Sequence, residues 1–315
     1  MRVLLVRLDG VGDAAVCTPL IAALRAAGHA VGVALTTRNA GLFSAEAIVA
    51  EHVLERIPWP AHGSTPASTA RAAEAIAAQG YDAALIASEE TEAYALARGI
   101  PVRVGFTTGW TRPLKNLWVR RQLTRTVSRV QRPGAGDAHE VEVLYRLGAG
   151  LVADAPPPAD VPPLRAVLTS AVPPLRENAP IVLQAGAKWA ASGVGGDALR
   201  AIFAALAPRG VRVVAAPHER DAAVAALGVA VDSFADLQAW IAALDASAAV
   251  VTTDTGAAHV AGMLGVRVVD VFPELDFAAQ TRRWRPWASP YRLVHAAALR
   301  GGAAGTIIEA ALDAF

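Results

Sequence analysis

The chain has 315 residues, 54% of them hydrophobic and 18% charged, with a formal net charge of +1 at pH 7. That length suits two ordinary domains, and the near-neutral charge carries no global signal for nucleic acid. Much of the apolar content is alanine, no run of about 18 uninterrupted apolar residues argues for a membrane span, and the single cysteine, Cys17, excludes a disulfide framework or a multi-cysteine metal site.

The opening Met1-Arg2-Val3-Leu4-Leu5-Val6 reads as a strand and not as a secretory leader, so the expected location is cytoplasmic. From there, short aliphatic runs alternate with alanine-rich helical stretches, the pattern of a parallel α/β sheet. Strands are predicted over Val3–Arg7, Ala30–Leu35, Ala83–Ala87 and Val102–Gly105, with helices over Pro19–Ala27 and Ser68–Gln79. Between Arg112 and Arg132 lie seven cations and no acidic residue: Arg112, Lys115, Arg120, Arg121, Arg125, Arg129 and Arg132, with Trp110 and Trp118 in or beside them. This is either a solvated helix face plus loop or a landing surface for an anionic substrate or membrane face.

The proline-rich passage Ala155 to Pro163 predicts a linker or extended crossing, because prolines this dense do not continue a helix or inner strand. Beyond it the rhythm restarts. Strands are predicted over Ile181–Gln184, Val211–Ala215, Ala248–Thr252 and Val266–Phe272, with helices over Asp197–Leu206, Ala235–Leu244 and Ala257–Leu264. The expectation is two Rossmann-like domains, 1–160 and 161–315, facing each other across a central cleft, with ligands at the carboxyl ends of the strands. The last helix is a candidate to pack back on the first domain.

Four loops have the residues for chemistry. The first strand ends in Arg7-Leu8-Asp9-Gly10-Val11-Gly12-Asp13-Ala14-Ala15, which fits the G-x-G-x-x-A dinucleotide fingerprint. The second strand lacks the carboxylate that holds a ribose and ends near Arg38, which leaves open only an NADP-dependent oxidoreductase. Asp13 directly after Gly12 would repel a pyrophosphate but suits a general base. Lys188 follows the strand Ile181–Gln184 and is either a phosphate-neutralising ammonium or a surface lysine. Glu219, just past the strand Val211–Ala215, is either a ribose or base ligand or a helix N-terminal carboxylate. The turn Thr252-Thr253-Asp254-Thr255-Gly256 leads into a helix carrying His259. Unpaired N–H groups and the dipole favour phosphate there, while an ordinary strand–turn–helix joint with Asp254 or Thr255 as N-cap is the alternative.

Taken together, these residues resemble glycosyltransferase family 9, the bacterial ADP-heptose:lipopolysaccharide heptosyltransferases. The likeness is strongest from Val3 through Gly12-Asp13 to Thr18-Pro19-Leu20, and from Asp254 to Ala261 and Leu264-Gly265. Weaker echoes are His139-Glu140-Val141-Glu142, Gly186-Ala187 with Trp189, Ala216-Pro217-His218-Glu219 and Trp284-Arg285-Pro286-Trp287. The resemblance implies an α/β GT-B fold and inverting, metal-independent transfer of a heptose or related sugar from a nucleoside diphosphate, ADP by expectation, with no cofactor. It implies Asp13 as general base, and Glu219, Asp254, Thr255, Gly256 and His259 as the donor site, where Lys188, read from its own strand end, is the candidate to stand in for the family's lysine. Gly10, Gly12, Arg112, Arg120 and Arg121 are expected on the acceptor side, which suits an anionic glycan or glycolipid and peripheral association with the inner membrane face. Two departures stand out. The family's lysine and Trp-Pro pair are replaced by Ala190 to Gly196, and its glycine-rich Asp-Pro turn by Phe272-Pro273-Glu274-Leu275-Asp276-Phe277. A family member that binds a nucleotide sugar or glycan without transferring it is therefore the runner-up.

Overall fold

Valine and leucine occupy successive positions from Val3 to Val6, and a strand apolar on both faces belongs inside a parallel sheet covered by helices. In a computed structural model of the chain, which describes residues 1–57, 63–108, 112–129, 138–174, 176, 178–273, 275–300 and 302–315, that strand is central. The polypeptide divides into two compact units, Met1–Pro158 and Ala159–Phe315. Trp110, Arg132 and Glu274 lie outside the described residues.

The first unit runs β1 (Arg2–Val6), α1 (Val11–Ala15), α2 (Thr18–Ala26), β2 (Ala30–Thr36), β3 (Ala50–Leu54), α3 (Pro66–Ala77), β4 (Ala83–Ile86), α4 (Thr91–Leu96), β5 (Val102–Thr107), α5 (Pro113–Gln122), β6 (Arg125–Ser128) and α6 (Glu140–Tyr145). Its six strands are ordered β3-β2-β1-β4-β5-β6, all parallel. One face buries Leu4, Val6, Ile76, Tyr81, Ile86 and Leu96 in a common core. Gly32 makes room there, since a Cβ would lie 1.9 Å from the Tyr81 hydroxyl, which bonds His52 Nε2 at 2.9 Å.

The second unit runs α7 (Val161–Leu168), β7 (Ile181–Gln184), α8 (Lys188–Ala191), α9 (Gly196–Leu206), β8 (Val211–Val214), α10 (Arg220–Leu227), α11 (Leu237–Asp245), β9 (Ala249–Thr253), α12 (Gly256–Met263), β10 (Arg267–Phe272), α13 (Phe277–Trp284), β11 (Tyr291–His295) and α14 (Ala304–Asp313). Its five parallel strands are ordered β11-β10-β9-β7-β8. Val251, Val269 and Val271 share one core with α9 and α14. Helix α14 packs closely on α9, where a Cβ at Gly305 would come within 2.7 Å of the Ala201 carbonyl oxygen.

Two expectations change. The proline-rich passage is not a linker throughout, because Val161-Pro162-Pro163 forms the first turn of α7, where the N–H groups proline lacks have no helical partner anyway. Three strands escaped prediction: β3, β6 and β11. All three are sheet edges carrying polar residues such as Glu51, Arg125 and Arg292, so their apolar signal is weak.

Candidate functional site

In a parallel sheet, ligands collect at the carboxyl ends of strands where the strand order reverses and adjacent loops splay apart. That point lies between β1 and β4 in the first unit, and between β7 and β9 in the second. Three of the sequence-predicted loops leave these four strands, and the Glu219 loop follows the neighbouring β8.

In the first unit the loops after β1 and β4 meet at Arg7. Its buried guanidinium donates to the Ala87 carbonyl and, at 2.8 Å, to Asp13 Oδ1, and its Nε lies 3.1 Å from Asp9 Oδ2. Burial pushes the Arg7 guanidinium down, but Cys17, Asp9, Asp13 and Glu140 outweigh it and hold the group above its ordinary value. Ser88 accepts from the Leu8 N–H and donates to Asp9 Oδ2, both at 2.7 Å. Asp13 is the third residue of α1, and its Oδ2 accepts from the Gly10 N–H at 3.3 Å. The side chain thus serves as a helix N-terminal carboxylate, while 38% of its surface stays open to a ligand. Gly12 lies inside α1, beside it. Two carboxylates on one guanidinium disfavour a pyrophosphate at this loop and favour a hydroxyl as the neighbour.

A second layer of charge supports this loop. Glu140, fully buried, accepts from Arg129 at 2.7 Å, and Glu89 pairs with Lys115 at 2.7 Å and with Arg129 at 3.7 Å. Burial raises the Glu89 carboxyl, but Lys115, Arg129 and Arg112 more than offset this and hold it below the ordinary value. The basic stretch is therefore divided. Lys115 and Arg129 are neutralised by acids from other elements, and Arg125 donates to the Ala149 carbonyl. Arg112 precedes α5 at the carboxyl side of the sheet, but Arg120 and Arg121 sit in the last turn of α5. Their distance along the axis from the helix start is about 12 Å, so they are not brought to the Asp13 loop. They share the outer surface of α5 with Leu114, Leu117 and Trp118, which are 83%, 52% and 38% exposed.

In the second unit, the carboxyl ends of β8, β7 and β9 bring Glu219, Lys188, Asp254 and His259 together. Glu219 reaches back to β7, where its Oε1 accepts from the Ala187 N–H at 2.8 Å. Gly186 permits the approach, because a Cβ there would lie 2.7 Å from Glu219 Oε2. Lys188 Nζ donates to the Asp254 carbonyl and, at 3.1 Å, to its Oδ2. His259, one turn into α12, lies with Nε2 3.8 Å from Asp254 Oδ1 and its ring 5.8 Å from Trp284. Gly262 lets the Pro286-Trp287 backbone close on α12, with Trp287 N only 3.1 Å from where a Cβ would be. Thr255 occupies the N-cap position of α12, but its hydroxyl pairs with that of Thr252 at 2.9 Å and caps nothing. Among the described residues, the N-cap side chain thus gives the first turn beginning at Gly256 no hydrogen bond, the arrangement that receives an anion. Asp254 tethers the lysine, and its carboxylate is an acceptor.

Sequence reasoning missed Arg7, Asp9, Ser88 and Glu89 as parts of the first site, and Asp270 beneath the second. Arg7 and Asp9 stood within the quoted loop, and a basic residue at the end of an otherwise apolar first strand was the available signal. Asp270, a carboxylate inside the run Val268 to Phe272, was as visible. Among the described residues, no three His, Cys, Asp or Glu side chains converge as a metal site, and no helix is long and apolar enough to cross a membrane.

No protein-family model matches the chain, and no curated protein matches it in sequence. Solved structures do. The Escherichia coli heptosyltransferase WaaC with ADP aligns over 99% of both chains at 20% identity and a TM-score of 0.75. The E. coli ADP-heptose lps heptosyltransferase II aligns over 100% of this chain and 98% of its own, at 16% identity and a TM-score of 0.71. A glycosyl transferase family 9 protein from Veillonella parvula DSM 2008 covers 93% of this chain and 85% of its own, at 14% identity and a TM-score of 0.69. The chain therefore has the α/β fold of these GT-B glycosyltransferases, with one parallel-sheet Rossmann-like unit in each half.

Proposed function

We propose that this chain is an inverting glycosyltransferase that moves a heptose or a related sugar from a nucleoside diphosphate to a hydroxyl of an anionic cell-envelope glycan, with the lipopolysaccharide core as the leading candidate. One observation carries the reading: Glu219, Lys188, Asp254, His259 and the uncapped N-terminus of α12 gather at three adjacent strand ends. That set matches a nucleoside diphosphate sugar part by part. A carboxylate accepts from ribose hydroxyls, an ammonium and helix N–H groups meet the diphosphate, and Asp254 accepts from sugar hydroxyls. ADP is the preferred nucleotide, supported by fold neighbours solved with ADP and with ADP-2-deoxy-2-fluoro heptose.

In the proposed step, Asp13 takes the proton of the acceptor hydroxyl as its oxygen bonds the anomeric carbon. The bond from that carbon to the diphosphate oxygen breaks on the opposite face, inverting the centre, and its electron pair leaves with the diphosphate. Lys188, His259 and the α12 N-terminus absorb that charge without a metal ion. Arg7 keeps Asp13 aimed. The enzyme would work in the cytoplasm, with the exposed Leu114, Leu117, Trp118, Arg120 and Arg121 surface holding it to the anionic inner membrane face where a glycolipid acceptor resides.

The test is single-turnover transfer from labelled ADP-heptose, with ADP affinity measured alongside. Asp13→Asn is expected to lose transfer by about 100-fold or more while binding ADP as the unmodified protein does. Lys188→Met is expected to weaken ADP about tenfold. Normal turnover by the Asp13 variant refutes the base, unchanged ADP affinity in the Lys188 variant refutes the diphosphate site, and ADP-sugar binding without turnover identifies a binding protein.

A further inference from the structure

Strand β10 alternates its side chains across the sheet. Val269 and Val271 enter the core shared with α9 and α14, so Asp270 points to the opposite face, with Val268 and Phe272, where α12 packs. Its register partner on β9 is Thr252, two residues before Asp254. The Asp270 side chain has no solvent exposure, and among the described residues neither carboxyl oxygen has a hydrogen-bond partner. It feels two charged groups: Asp254 from the β9–α12 turn, and Lys188 from α8. On the other elements against this face, His259 of α12 contacts Asp254, His295 of β11 stacks with Phe277 at 4.7 Å, and Arg283 of α13 lies over Trp284.

A carboxylate sealed from water without a donor pays a large desolvation penalty, which protonation removes. Burial, reinforced by Asp254 and opposed by Lys188, holds the Asp270 carboxyl well above its ordinary value. The location gives that neutrality a use. Lys188 is the ammonium that meets Asp254 in the candidate donor site, and an ionised Asp270 would set a second negative charge against it just where a diphosphate is to arrive. We propose that Asp270 is a proton-carrying positioning residue of the donor site, whose neutral carboxyl beneath Asp254 and Lys188 keeps the site receptive to a nucleoside diphosphate and whose ionisation closes it. The inference rests on the donor-site reading above. Linkage then makes diphosphate binding take up a proton wherever Asp270 is partly ionised, because the bound anion favours the neutral acid. The same rule fixes the effect on folding. With a folded value above the unfolded one, the stability Asp270 contributes is full below the ordinary carboxylate range and is lost as pH rises through the folded value.

The experiment compares ADP affinity of the full-length protein and of Asp270→Asn by calorimetry between about pH 6 and about pH 9.5. Titration of His259 or of ADP itself affects both proteins alike, so the difference isolates Asp270. The two are expected to bind ADP equally at the acid end. At the alkaline end the unmodified protein is expected to bind about tenfold or more weakly than the variant, because it alone gains a charge beside the diphosphate. Parallel profiles overturn the proposal, as does a uniform loss of affinity in the variant. Parallel profiles with ADP bound leave the donor site standing, whereas no ADP binding at any pH defeats both. If the Asn variant does not fold, Asp270→Leu carries the same comparison. The infrared C=O band of a protonated carboxyl in the unmodified protein is an independent check: it is expected at pH 7 and lost on alkaline titration, and its absence at pH 7 overturns the proposal.

Discussion

Gly186→Ala separates the architecture of the donor site from its chemistry with a single methyl group. The new Cβ would lie 2.7 Å from Glu219 Oε2, 3.2 Å from its Cδ and 3.3 Å from Oε1. All three atoms belong to the far end of a flexible side chain, so the carboxylate swings away and the backbone need not move. The folding balance is small. Losing the Ala187–Glu219 bond costs about 0.5–1.5 kcal/mol, and alanine returns about 0.4–1 kcal/mol by restricting the unfolded chain, since Gly186 does not adopt a left-handed backbone. The balance leaves stability within about 1 kcal/mol of the original. Nucleotide binding responds differently. Hydrogen bonds between a carboxylate and ribose hydroxyls are worth about 1.5–3 kcal/mol, which corresponds to a roughly ten- to 150-fold rise in the ADP dissociation constant. Thermal melting and titration calorimetry with ADP read the two quantities, and Gly195→Ala is the control because nothing lies within 4 Å of its Cβ position. A variant that melts normally and binds ADP normally refutes the role of Glu219, and a large fall in melting temperature refutes the geometry.

Two further outcomes are expected. Cys17 is buried and its thiol is pushed up to about 12, chiefly by burial, so only about one in 10,000 is thiolate at pH 8; a thiol reagent should therefore label it only after denaturation, and prompt labelling of the native protein contradicts this. The double variant Arg120→Glu/Arg121→Glu should reduce cosedimentation with vesicles of anionic phospholipid about thirtyfold or more, at about 1 kcal/mol per arginine lost, while leaving ADP affinity unchanged. Equal cosedimentation of the two proteins removes α5 as the membrane-facing surface.

The inner strands were legible because both of their faces are apolar: Ile181–Gln184 was predicted with its observed bounds, and Val3–Arg7 differs by one residue at each end. The edge strands were not, because they carry polar residues such as Glu51, Arg125 and Arg292, and four or five residues with few buried positions leave little periodicity. Site residues on loops leaving inner strands were visible for the same reason that strand ends were. What one sequence could not supply is which distant groups those loops meet. Nothing local links Arg7 to Ala87, Lys188 to Asp254, or Glu219 to Ala187, and the register of parallel strands creates all three meetings. The arginine cluster read as a solvated helix face plus loop or as a landing surface, and sequence alone could not show that Glu89 and Glu140 neutralise Lys115 and Arg129 within it.

The central position of β1 has a consequence for the order of folding. Residues of β1 pair with residues of β4 80 positions later in the sequence, as Val3 does with Ala83, with the Arg2 N–H bonding Asp82 at one end and the Leu8 N–H bonding Ser88 at the other. Neither helices nor the local β1–β2 pairing can complete that side of the strand. Closing so long a loop is entropically slow compared with local contacts. During synthesis the first unit must wait for residues beyond Ser88 to clear the ribosome before β1 is flanked on both sides. Arg7 and Asp9 gain their contacts with Ala87 and Ser88 only at that moment. A chain stalled or cleaved before β4 therefore carries every residue of its first loop without the β4 end that holds Arg7 and Asp9 in place.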